Sequence, residues 1–186
     1  MDRISIDHRN DPQSTVKRKK GMRGILKSRI FIWCFGIICS LLLVLLIFPV
    51  FRVTDDSMEP NLHKGDIILA LPLKPKNGRV AVVRYGSVYV VRRVIAQGGE
   101  TLDIDKNGNI YIESLMVDEP YIERKSMGVC DIELPFEVPE ERFFLIGDNR
   151  ETSIDSRSSV LGCVSESLIE GCAAICIWPI KDIGII

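Results

Sequence analysis

The stretch Thr54–Ala70, TDDSMEPNLHKGDIILA, decides how the rest of the chain is read. It opens three residues after a long apolar run and puts Ser57 where the chain leaves that run. Pro60 fixes φ at about −65°, and Gly65-Asp66 supplies a turn before the apolar strand Ile67–Ala70. A serine on a constrained turn off the end of a strand stands where a nucleophile would be presented for attack. A plain solvated turn is the competing reading, and the neighbouring segments decide between the two.

Upstream, Ile30–Phe51 carries no charge over 22 residues. As an α-helix it spans about 33 Å, enough for a hydrocarbon core of about 30 Å. A cleaved leader would have an apolar region of only about 7–15 residues followed by a small-x-small site, and neither fits. The sequence therefore predicts one N-terminal transmembrane helix at 30–51. Residues 1–29 hold nine Lys/Arg against three Asp/Glu, while residues 30–186 hold fifteen against twenty-two. The positive-inside rule puts tail 1–29 in the cytoplasm and domain 52–186 outside it, as a single-pass protein of the cell membrane. The basic block suits anionic lipid, and the acidic remainder offers no surface for nucleic acid. The first twenty residues read as a disordered tail.

Downstream, β-branched runs separated by turn residues predict strands at Val80–Val83, Val88–Ile95, Leu102–Ile104, Ile110–Ile112, Phe143–Ile146 and Ala173–Trp178. Asn107-Gly108 marks a hairpin, and only Ser165–Leu168 hints at a helix. The expected soluble domain is mainly β and barrel-like, with a small excursion near residues 105–140. Six cysteines show no C-x-x-C spacing and no clustered histidine, so neither a metal site nor a cofactor is expected; Cys34 and Cys39 lie in the apolar run, and Cys130, Cys163, Cys172 and Cys176 read as buried thiols, with room for one disulfide.

Together the anchor, DDSMEPNL, KGDIILA, YVVRRVIAQGGETL and GDNRETSIDSRSSVLGCV resemble type I signal peptidases, the membrane-anchored Ser/Lys endopeptidases, from residue 30 onward. The resemblance implies a signal-peptidase-type fold and cleavage of exported preproteins after small residues, with their signal peptides as partners and secretion machinery nearby. It makes Ser57 the nucleophile, with Met58 and Pro60 completing its turn. Asp148, Arg150, Ser153, Asp155 and Arg157 form the supporting box, in which alternating Asp and Arg would bridge one another along the loop.

Arg92 departs from that pattern, because the family carries its general-base lysine where Arg92-Arg93-Val94-Ile95 stands. Arginine keeps its proton: with a pKa of about 13.8, neutralising it at pH 7 costs roughly 9 kcal/mol. Lys64, Lys74, Lys76 and His63 are weaker substitutes by position. Asp55 stands near the expected oxyanion donor, where a carboxylate would repel developing charge unless it turned away. The alternative is a catalytically impaired homologue that binds and helps assemble exported or surface proteins. A self-cleaving repressor would need a DNA-binding domain where the apolar run lies, and a plain membrane protein leaves the matched segments unexplained.

Overall fold

The computed structural model describes residues 29–43 and 47–186, in two units, 1–47 and 48–186. The basic tail and its expected disorder lie outside the described residues. In the first unit residues 29–43 are helical, with Phe31, Trp33, Phe35 and Leu41 all exposed. Among the described residues no helix is long and apolar enough to cross a membrane. At the far end of the 22-residue span expected at 30–51, Val50 and Phe51 enter a strand and pair with Leu69 and Ile68. Pro49 accounts for the change, since a proline disfavours helical backbone at the residue before it.

The second unit is mainly β. Its strands are β1 (Val50–Arg52), β2 (Ile67–Leu71), β3 (Val80–Tyr85), β4 (Val88–Gln97), β5 (Thr101–Ile104), β6 (Ile110–Ile112), β7 (Leu115–Met116), β8 (Phe136–Glu137), β9 (Arg142–Ile146), β10 (Val164–Ser165), β11 (Ile169–Trp178) and β12 (Gly184–Ile185). The large sheet runs β1-β2-β11-β3-β4-β9-β10, with β12 also on β11, and the small one runs β7-β6-β5-β8. The expected barrel does not close. Its end strands, β1 and β10, are three and two residues long and do not pair with each other. The excursion builds the small sheet, whose Asp105 carboxylate accepts the Asn107 and Asn109 amides (2.8 and 2.9 Å) to turn the β5–β6 hairpin. Ser165 ends β10, and Glu166–Leu168 form a 3₁₀ turn.

Apolar alternation on the strands fills three packed clusters. One gathers Val53, Met58 and Leu62 with Ile68, Val80, Val82 and Val91, so the turn carrying Ser57 is pinned by its own neighbours. Another joins Ile95, Phe144 and Ile146 to Leu102, Ile104 and Ile110 of the small sheet. All six cysteines are unpaired; Cys172 and Cys176 are buried, and burial pushes the Cys163 thiol up to about 11 against a small opposing pull from Arg142. The disulfide the sequence left room for is not formed.

Candidate active site

Ser57 lies in the turn that follows β1, and Met58 beside it is fully buried. Leu62 N–H donates to the Met58 carbonyl (3.0 Å), which closes the turn, while Pro60 sits on its exposed outer side. Contrary to the presented hydroxyl expected from sequence, Ser57 is only 4% exposed. Asp55 and Arg92 cover it.

Arg92 comes from β4, opposite Ala81 of β3, and Arg93 follows it. Successive strand residues point to opposite faces, so the two arginines serve different partners. Arg92 donates from Nη1 to Ser57 Oγ and to the Val91 carbonyl (2.6 Å). Its Nε and Nη2 reach the Ile154 carbonyl at 3.3 and 3.1 Å. Nη1 and Nη2 also reach the two Asp55 carboxylate oxygens, at 3.3 and 3.2 Å. Asp55 Oδ1 accepts the Ser57 hydroxyl and, at 3.1 Å, the Ser57 amide. This is an Asx turn, in which an aspartate binds the backbone two residues on. The carboxylate thus faces Ser57 rather than turning away. Burial raises its pKa, but the Ser57 hydroxyl and the Arg92 cation outweigh that and hold it below the usual carboxylate range.

On the other face, Arg93 forms a bidentate pair with Asp148 through Nε (2.8 Å) and Nη2 (2.6 Å), and both side chains are buried. Arg93 also donates to the Gly78 carbonyl and lies over the Tyr121 ring. Asn61 donates to Asp148 as well (2.8 Å). Arg150 pairs with buried Glu119, and Tyr121, raised by burial and by Glu119, donates to the same carboxylate at 2.9 Å. Asp155 accepts Arg157 Nε and Nη2 (2.8 and 2.7 Å) and the Gly147 amide (3.0 Å). Asn149 N–H donates to the Ser57 carbonyl at 2.8 Å, which ties this loop to the candidate nucleophile. The hydroxyl of Ser153 is buried and has no hydrogen-bond partner among the described residues.

The matched residues therefore do meet, but not as sequence suggested. Only Asp155 and Arg157 bridge along the loop; Asp148 and Arg150 take partners from β4 and from the excursion. Glu119, Arg93, Asn61 and Asn149 were not singled out by sequence, and Glu119 gave no signal because its partner lies 31 positions away. His63 is exposed with its amide on the Asp66 carboxylate (2.8 Å), and Lys64, Lys74 and Lys76 are exposed; none contacts Ser57.

A family model described as "Signal peptidase, peptidase S26" matches residues 26–178. The chain belongs to the signal peptidase family. Signal peptidase I of Bacillus amyloliquefaciens is 31% identical over 173 residues, covering 84% of this chain and 92% of that relative. Signal peptidase I S of Bacillus subtilis (strain 168) is also 31% identical over 173 residues, covering 84% and 93%. A crystal structure of a signal peptidase I from Enterococcus faecalis V583 aligns with a TM-score of 0.45 and 24% identity, over 55% of this chain and 98% of that one. Within the signal peptidase match fall both the Ser57 turn and the whole loop from Gly147 to Arg157.

Proposed function

We propose that this chain is a membrane-anchored serine endopeptidase that removes N-terminal signal peptides from exported proteins, with Ser57 as nucleophile. Membership of the signal peptidase family carries the activity, and the convergence of Ser57, Arg92 and the tied loop 147–157 supports the site. Arg92 stands in for the family's base lysine, and Asp148, Arg150, Asp155 and Arg157 hold the turn and its loop still. The apolar run from Ile30 to the start of β1 is the membrane anchor, the basic tail stays cytoplasmic, and domain 52–186 faces the far side.

The substrate adds as a strand. From Val88 to Arg92, β4 is paired with β3 but not with β9, whose ladder begins at Arg93, so this length of edge is free of strand partners among the described residues. Val88, Tyr89 and Ile154, all exposed, flank the same edge and suit small apolar side chains of an extended peptide.

A second reading, a binding factor for exported proteins with little or no turnover, draws on the burial of Ser57 and the engagement of both its N–H and O–H by Asp55. Cleavage of a preprotein with small residues at positions −1 and −3, by the full chain in detergent at pH 6–10, separates the two. The expected result is slow cleavage at the signal-peptide junction that vanishes in Ser57→Ala. Retention of the preprotein without any cleavage would favour the binding factor.

A further inference from the structure

Ser57 needs a proton acceptor, and the guanidinium beside it cannot be one. Arginine carries N–H donors and no acceptor. Where Arg92 Nη1 meets Ser57 Oγ, the serine oxygen must therefore be accepting, and its own proton must point elsewhere. Asp55 Oδ1 is the one acceptor it reaches among the described residues. We propose that Asp55 is the proton acceptor for Ser57 in this chain, and that Arg92 is the positioning residue that holds the carboxylate and the hydroxyl in register. The proposal deepens the endopeptidase reading and rests on it.

The two carboxylate oxygens divide the work. Oδ1 takes the hydroxyl and the amide of Ser57, while Oδ2 is fixed by Arg92 Nη2 at 3.2 Å. Arg92 is itself fixed by the Val91 and Ile154 carbonyls and is 4% exposed, so its cation does not swing away. That cation also lies against Ser57 Oγ as its proton leaves, which makes the hydroxyl easier to deprotonate. From β4 the charged group facing Asp55 is Arg92. Its exposed neighbour Asp56 makes no hydrogen bond to it, and the loop 147–157 sends only the neutral Ile154 carbonyl toward the cluster.

The step balances without a further reactant. As Ser57 Oγ bonds to the scissile carbonyl carbon, its proton passes to Asp55 Oδ1 and the carbonyl π pair moves onto oxygen. Collapse breaks the C–N bond, and the Asp55 carboxylic acid returns that proton to the leaving amine. Water then attacks the acyl-Ser57 ester, giving one proton to Asp55, which passes it to Ser57 Oγ as the ester bond breaks. The net change is one water consumed per peptide bond.

Because the carboxyl is held below its usual range, the base form is present across neutral pH. Activity is lost only as pH falls through that depressed value, and stays flat from about pH 6 to 10. A lysine base would instead make it rise toward alkaline pH.

The test uses the full chain in detergent with two readouts: covalent labelling of Ser57 by a small activated phosphonate ester, followed by mass spectrometry, and cleavage of a preprotein. General-base assistance is worth about 10²–10⁴-fold, so Asp55→Asn should slow both by at least about a hundredfold, with Asp55→Glu recovering about tenfold or more of the loss. An Asp55→Asn variant labelled as fast as the wild type, or faster, would overturn the proposal and make Asp55 a bystander or a block. So would a wild-type labelling rate that climbs between pH 7 and 10, a measurement that needs no folded variant. Asp55-dependent labelling without preprotein cleavage would sink the signal-peptide reading and leave the proton acceptor standing. Preprotein cleavage indifferent to Asp55 would do the reverse, and a wild type inert in both assays would end both.

Discussion

Replacing Asp148 by alanine tests whether the ion pair beneath the site holds the unit together. The substitution strips Arg93 of two charge-assisted bonds, at 2.8 and 2.6 Å, and leaves its guanidinium buried. Breaking a buried pair by removing one partner costs about 3–5 kcal/mol, because the remaining charge has lost both water and partner. Arg93 keeps the Gly78 carbonyl (2.8 Å) and the face of Tyr121, 4.0 Å from its centroid, and these keep the loss near the low end, about 3 kcal/mol. Unfolding a unit of about 140 residues carries an entropy of about 0.3 kcal/mol per kelvin, so the midpoint should fall by about 10 °C.

Thermal unfolding of the full chain in detergent, followed by the β signal in circular dichroism, reads this directly. The companion variant Arg93→Met/Asp148→Leu removes both charges and should recover most of the lost stability, since apolar replacements of a buried pair are often neutral or better. A shift under about 3 °C for Asp148→Ala, or a double variant no more stable than the single, would refute the reasoning. Either result would mean that Arg93 finds water or another acceptor when Asp148 is gone.

Three further outcomes follow from the same geometry. A Cβ on Gly147 would collide with the Ser153 hydroxyl and come within 2.6 Å of the Ser57 carbonyl oxygen, so Gly147→Ala should leave the β signal in place while preprotein cleavage falls about a hundredfold, the effect of moving a reacting group by about 1 Å. Arg92→Lys introduces a side chain that can lose its proton, and should add an alkaline limb with at least about a tenfold gain in cleavage by pH 10; a variant that only loses activity across pH 6–10 would show that the second nitrogen of the guanidinium is indispensable. Cys163 has its folded pKa raised to about 11 from 9.0, so the stability it contributes is complete below pH 9 and is lost as pH rises toward 11. Denaturant midpoints at pH 8, 9.5 and 11 should show that fall in the wild type and less of it in Cys163→Ala.

Most of the strands could be read from sequence because strand formation is a local matter here. Val80–Val83, Val88–Ile95 and Phe143–Ile146 are β-branched or aromatic runs bounded by glycine, proline or acidic turns, and each lies inside an observed strand. What escaped is set by pairings across long stretches of chain. That the large sheet stays open is seen only in its end strands, β1 and β10, which do not pair with each other. The end of the apolar run could have been seen at Pro49, yet its hydropathy concealed that Val50 and Phe51 belong to β1.

The site divides along the same line. Ser57 and the loop 148–157 stood out by residue type and spacing, and Arg92 because the resemblance puts a lysine at its place. Their partners did not, since Glu119 reaches Arg150 and Arg93 reaches Asp148 only after the sheets have formed. Asp55 is the instructive case. In sequence it is an acid two residues before a serine, and its effect depends wholly on the direction of its side chain. The Asx turn sets that direction, Arg92 fixes it, and the Ser57 proton then has a carboxylate oxygen to go to. Lysine at position 92 would offer the serine an acceptor of its own once deprotonated, with Asp55 its counter-ion only while the lysine keeps its proton. With arginine there, the same carboxylate becomes the group on which any proton transfer from Ser57 depends.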